Sequence, residues 1–305
     1  MKIYDILIWG INDEYNQYFN QILFEIYKNN INVLALVSKD RYANRLDGFD
    51  IISKDKINDY FFDYIVIFNK LKFDIIKQEA LNIGIKESVI IDGQVFGIPY
   101  FDFKKYVSLI RNPITIISNN CWGGRIYHLL HLKMTSPFIN CWLSSQDYLK
   151  LLSKLEYYMS TELKMEEEGN IYESRIPKGY LGEKDKIVIN FNHHMNFISA
   201  KNDWDRRKER MNYNNLFIKW DLSKNSPVLE KQFDILPYKN KICFTIADTD
   251  YESSKAIPRY LWKCKNIPVD GLNFPIYIQN MECLKKSVDI LSLLTGETNF
   301  IREMW

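Results

Sequence analysis

Short apolar runs alternating with helical stretches constrain this chain most. Residues 3–9 are nearly continuous apolar sequence and stop at Gly10, the pattern of a strand buried on both faces. Helical spacing follows over 13–28, with Tyr15, Tyr18, Phe19, Ile22 and Ile26 on one stripe. Further strands are expected at 32–37, 51–52, 64–68 and 88–91, and a helix at 73–82 closed by Gly84. Strand, helix, strand in that order predicts a parallel sheet with right-handed crossovers, a Rossmann-like α/β domain over 1–105. Residues 95–103 read as a linker and 101–110 as a connecting helix. A second α/β domain is expected over 106–305, with strands at 114–118, 187–191, 215–220 and 241–247 and helices at 125–132, 147–159 and 197–211.

The first strand-to-helix turn, Gly10-Ile11-Asn12-Asp13-Glu14-Tyr15, lacks the second and third glycines of a dinucleotide fingerprint. Asp13 and Glu14 would also repel a phosphate at the helix N-terminus. No nicotinamide nucleotide is expected there, and docking of a partner fits that domain better.

Composition excludes several function classes. Lys and Arg number 40 against 38 Asp and Glu, so the chain lacks the basic footprint of a nucleic-acid binder. No apolar run approaches the ~20 residues of a membrane helix. The start, Met1-Lys2-Ile3-Tyr4-Asp5, places an acid where a signal peptide carries its apolar stretch, which predicts a cytoplasmic protein. The five cysteines (121, 141, 243, 264 and 283) contain no Cys-x-x-Cys pair and read as free thiols.

The turn at 118–125 is the sharpest chemical signal. Ser118, Asn119 and Asn120 lead from a buried strand into Cys121, Trp122, Gly123, Gly124 and Arg125. Ligands bind at such carboxyl edges. The glycines would allow close backbone approach, and the free N–H groups of the next helix would face an anion or an oxyanion. Cys121 at the helix start is expected to have a lowered thiol pKa. His128 lies off the apolar stripe formed by Ile126, Leu129 and Leu130, on the Cys121 side. His193 and His194 end another predicted buried strand, where one of them could serve as a general base. If both strands belong to one sheet, that histidine should come within reach of Cys121. Arg206 and Arg207 either bind a phosphate or carboxylate or pair with Asp203 on a solvated face. The histidine pairs lack i,i+4 zinc spacing, so no metal is expected, although Asp248 or Asp250 could add oxygen.

At these residues the chain resembles a bacterial family catalogued as a domain of unknown function and assigned to exopolysaccharide biosynthesis. The matching stretches are 116–127 (IISNNCWGGRIY), 136–140 (SPFIN), 147–150 with Tyr157 and Tyr158, 191–194 (FNHH), 204–212 (WDRRKERMN) and 215–218 (NLFI). Together they cover most of 113–250. The strand, Asn-Asn-Cys, helix arrangement is also similar to the strand, Gly-Asn-Cys-Gln, helix motif of a capsule-associated acetyltransferase family, with Asn119 and Trp122 departing from it. These resemblances imply a transferase of surface-polysaccharide synthesis that moves an acyl group to a sugar. No bound cofactor is expected; acyl-CoA or a nucleotide sugar would be the donor. The expected partner is a small-molecule or sugar substrate, with a homo-oligomer left open. A non-catalytic binding or assembly protein and a glycosyltransferase or hydrolase remain rival expectations.

Overall fold

The computed structural model describes residues 2–38, 44–166, 176–222, 226–245, 250–256 and 288–301. Cys264, Cys283 and Asp248 lie outside the described residues. The protein is α/β and divides into two compact units, Met1–Arg111 and Asn112–Trp305.

In the first unit the chain runs β1 (Tyr4–Trp9), α1 (Asp13–Tyr27), β2 (Ile31–Val37), β3 (Arg45–Leu46), β4 (Phe49–Ile52), β5 (Tyr64–Ile67), α2 (Phe73–Asn82), β6 (Ile90–Asp92) and α3 (Phe103–Arg111). The sheet order is β3-β4-β2-β1-β5-β6, and every pairing is parallel except the β3–β4 hairpin. Helices on the crossovers cover the sheet, so the β1 and β5 residues Ile6, Leu7, Ile8, Ile65, Val66 and Ile67 are fully buried. Gly10 ends β1 at φ +115°, and a Cβ there would lie 2.4 Å from the carbonyl oxygen of Phe68. This glycine is therefore required by close strand packing. The α1 N-terminus is closed by Asn12, whose side chain accepts from Glu14 N and Tyr15 N, while the Glu14 carboxylate accepts from Lys70 N at 2.7 Å.

The stretch expected to be a linker belongs to this unit's core. Phe96 packs on Phe101 at 4.7 Å and on Phe68 at 5.6 Å between ring centroids, and Phe103 and Tyr106 of α3 are buried beside them. Aromatic burial holds the segment against α1 and the sheet. The first unit accordingly extends through α3, beyond the expected boundary at 105.

The second unit runs β7 (Thr115–Ser118), α4 (Trp122–Leu129), α5 (Ser145–Ser153), α6 (Leu155–Ser160), β8 (Lys164–Met165), β9 (Lys178–Leu181), β10 (Ile187–Asn190), α7 (Phe197–Lys208), β11 (Leu216–Asp221), α8 (Pro227–Asp234), β12 (Lys241–Thr245), β13 (Ser254–Ala256) and α9 (Ile290–Leu294). The helix expected over 147–159 is broken at Lys154, whose φ of −142° and ψ of 43° are not helical. Two sheets form: a parallel one ordered β13-β12-β11-β7 and an antiparallel one ordered β10-β9-β8. One face of the parallel sheet carries Ile117, Ile218, Trp220 and Cys243 into a core with Tyr148, Leu151, Phe191 and Trp204. On the other face, Phe217 stacks on Trp122 of α4 with ring centroids 6.1 Å apart. No helix among the described residues is long and apolar enough to cross a membrane.

Candidate functional site

β7 delivers the 118–125 turn to the carboxyl edge of the parallel sheet, and hydrogen bonds within the turn start α4. Ser118 Oγ donates to Asn120 O at 2.6 Å and accepts the Gly123 N–H at 3.2 Å. Asn120 Oδ1 accepts the Trp122 N–H at 3.1 Å. Two of the helix's orphan N–H groups are thereby satisfied by side chains of the turn. This corrects the expectation of a free anion cradle. The glycines also serve packing: a Cβ on Gly123 would meet Ile116 Cγ2 at 3.1 Å and Ser118 Oγ at 3.2 Å, and one on Gly124 would meet Asn140 Oδ1 and Ile139 Cγ2 at 3.1 Å. Both glycines are buried between α4 and its neighbours.

Asn119 and Asn120 face inward, toward β11. Asn119 Oδ1 accepts the Asp221 N–H at 3.2 Å, and Asn120 Nδ2 donates to Asp221 Oδ2 at 2.5 Å. Both side chains are buried. Ser118, Asn119 and Asn120 thus build the turn and hold it to Asp221. Arg125 is exposed on α4.

Cys121 is half-buried, and its Sγ lies 3.3 Å from Nε2 of His193. The meeting has a different cause from the one expected. β10 is not in the β7 sheet; it belongs to the antiparallel one. A strap joins the two: Leu143 N donates to Asn119 O at 3.0 Å, and Trp142 forms an antiparallel bridge with Asn190, N to O at 2.8 and 2.9 Å. The strap fixes the end of β10 beside the β7 turn, and the next turn, with His194 N donating to Phe191 O at 3.1 Å, presents His193 to the thiol.

The thiol's acidity departs from expectation. Burial pushes the Cys121 pKa up, and this outweighs Arg125, the local backbone and Lys219, all of which pull it down. At rest the group is a thiol rather than a ready thiolate. Burial also pushes up Cys141 and Cys243, more strongly.

Other expected site residues stand apart from the Cys121–His193 contact. His128 is at the far end of α4, roughly 10 Å along the axis at ~1.5 Å per residue, where its ring stacks on His131 at 6.3 Å. His194 turns to Asp203, with Nε2 3.4 Å from Oδ2. Asp203 also takes Arg206 at 2.5 Å and Arg207 at 2.8 Å. The arginines are therefore tied to a carboxylate on their own helix, which is the ion-paired reading of this segment. Burial raises the Asp203 pKa, but Arg207, His194 and Arg206 outweigh it and hold the carboxyl below its ordinary value. Among the described residues, no three His, Cys, Asp or Glu side chains cluster as metal ligands.

Sequence reasoning missed Lys219 and Asp221. Lys219 lies on β11 in register with Ser118 of β7, and both charged side chains are 0% exposed and paired with each other. The signal was a lone lysine inside the apolar run 216–220.

A family model described as a domain of unknown function, DUF1919, matches residues 93–285, and one described as C2185-like, N-terminal, matches residues 2–91. An uncharacterized protein of Haemophilus influenzae is 36% identical over 140 residues, which is 45% of this chain and 64% of that protein. The chain thus spans somewhat under two thirds of that curated relative's length. With the motif turn, the Cys121–His193 contact and the Asp203 cluster all inside the larger match, the chain belongs to the DUF1919 family.

Proposed function

We propose that the protein transfers an acyl group to a sugar hydroxyl in surface-polysaccharide synthesis, with Cys121 as nucleophile and His193 as its base. The observation that carries the reading is the 3.3 Å separation of Cys121 Sγ and His193 Nε2. A thiol whose pKa is raised by burial needs a base within hydrogen-bond reach, and His193 occupies that position.

With an acyl thioester as donor, His193 Nε2 takes the Cys121 proton and the sulfur attacks the acyl carbonyl carbon. The new Cys–acyl bond forms as the donor C–S bond breaks, and the leaving thiolate takes the proton from His193. The sugar hydroxyl then attacks the acyl-cysteine and gives its proton to His193. The ester bond forms, the Cys121–acyl bond breaks, and the proton returns to the thiol. The surface-polysaccharide setting rests on the sequence resemblance alone.

A thermal-shift comparison of acyl-CoA with nucleotide sugars tests the donor class. A donor at about 100 times its Kd adds roughly 2.7 kcal/mol of stability, worth roughly 5–10 °C in Tm for a unit of this size. Stabilisation by acyl-CoA supports the reading. Stabilisation by nucleotide sugars alone points to glycosyl transfer. Stabilisation by neither favours the non-catalytic assembly role, which is also consistent with the self-capped α1 N-terminus of the first unit.

A further inference from the structure

Beneath the Cys121 turn lies an ion pair that the proposed chemistry does not use directly. Lys219 Nζ contacts Asp221 Oδ2, and both side chains are entirely out of solvent. Beyond that contact Lys219 Nζ has no hydrogen-bond partner among the described residues, and Asp221 Oδ1 has none. A buried ion pair in which both partners leave polar atoms unsatisfied contributes poorly to stability, and an apolar pair of similar volume often serves the fold as well. Its placement suggests another role. The ammonium lies 5.3 Å from the ring centroid of Trp122, the residue after Cys121, and 5.9 Å from that of Phe244. The carboxylate grips Asn120, the residue before Cys121. The pair therefore flanks the nucleophile's turn from below, one partner on each side of Cys121 in sequence.

We infer that Lys219 is a positioning residue for the Cys121 thiolate, a buried cation held under the α4 N-terminus by Asp221 to stabilise the negative sulfur once His193 has taken its proton. This inference rests on the thiol-nucleophile reading above. The charged and titratable groups around the sulfur come from each neighbouring element: His193 from the turn after β10, Arg125 from α4, Lys219 from β11 and Cys141 from the strap. Arg125 is exposed and screened by salt, whereas Lys219 is not. Lys219 pulls down the pKa of Cys121, and on the opposite face of the sheet it also pulls down that of Cys243, which Asp221 pushes up.

The test is the pH profile of Cys121 alkylation by iodoacetamide, followed at that cysteine by peptide mass spectrometry, in the full chain and in Lys219→Met. The midpoint should move up by about one unit in the variant, so that labelling below the midpoint slows by ~10-fold. If the methionine variant does not fold, Lys219→Gln, which keeps a polar contact with Asp221, should move the midpoint the same way. Lys219→Arg should restore it. An unchanged midpoint in a folded neutral variant overturns the inference, because a purely structural lysine would alter stability and leave the thiol's titration in place. Alkylation needs no donor, so failure of the acyl-transfer reading would appear separately, as wild-type protein that labels normally and never becomes acylated by acyl-CoA.

Discussion

Breaking the Lys219–Asp221 pair should cost far more than replacing it whole. The pair lies on β11, between β12 and β7 in the sheet, with 0% exposure of both side chains. Lys219→Met leaves the Asp221 carboxylate buried with Asn120 Nδ2 as its hydrogen-bond donor, and Asp221→Leu leaves an ammonium with no counter-ion. Removing one partner of a buried pair costs about 3–5 kcal/mol. In the double variant no buried charge remains. The backbone bonds between Asp221 and Asn119 survive, since they use the Asp221 N–H and carbonyl. What is lost is the partner of Asn120 Nδ2, an orphaned donor worth about 1–3 kcal/mol. Each single variant should therefore lower Tm by roughly 6–20 °C, at 2–4 °C per kcal/mol for a unit of this size. The double variant should be more stable than either. Scanning calorimetry of the four proteins closes the cycle. Single variants that each lose under about 1 kcal/mol, or a double variant as unstable as the sum of the singles, would show that the pair is not electrostatically coupled as described.

Three further outcomes follow from the geometry. Gly10→Ala should destabilise the first unit by about 2–4 kcal/mol, because φ is +115° and the new Cβ would sit 2.4 Å from Phe68 O; chemical denaturation read in the far ultraviolet would show it, and a neutral result would mean that the strand packing is misdescribed. In native protein, Cys121 should label faster than the buried Cys141 and Cys243, and His193→Ala should slow Cys121 near neutral pH by ~10-fold or more; equal rates in the His193 variant would remove the base. Asp203 has a depressed carboxyl pKa, so its contribution to stability is present above the unfolded value near 4 and fades as pH falls through the lower folded value. The Tm deficit of Asp203→Asn relative to wild type should therefore be largest above about pH 5 and shrink below pH 4, and a deficit independent of pH would contradict the ion-pair account.

The parallel sheets were legible because period and composition agree. Residues 3–9 could be little other than a buried strand, and the helix at 73–82 has the observed bounds. The 95–103 segment was misread because Phe96, Phe101 and Phe103 flank Gly and Pro residues that signal a turn, and local signals do not reveal a ring cluster closed by Phe68. At the site, one of His193 and His194 was legible as a neighbour of Cys121, but which of them and the cause were not. The strap bridging Asn119 and Asn190 pairs residues far apart in sequence through backbone groups, which carry no side-chain signature. The thiol's raised pKa was equally hidden, since it depends on how deeply the turn is covered. The helix-start glycines invited a ligand reading that close packing on Ile116, Ser118 and Asn140 explains instead.

If Cys121 carries the acyl group, intact-mass spectrometry of the protein mixed with acyl-CoA in the absence of acceptor will find that group on the protein. The expected mass gain is one acyl group, mapped to Cys121 by peptide analysis, absent in Cys121→Ser, slowed by ~10-fold or more in His193→Ala, and discharged when a sugar acceptor is supplied. An acyl group found on another residue, or a wild-type protein that stays unmodified while Cys121 alkylates normally, would contradict it.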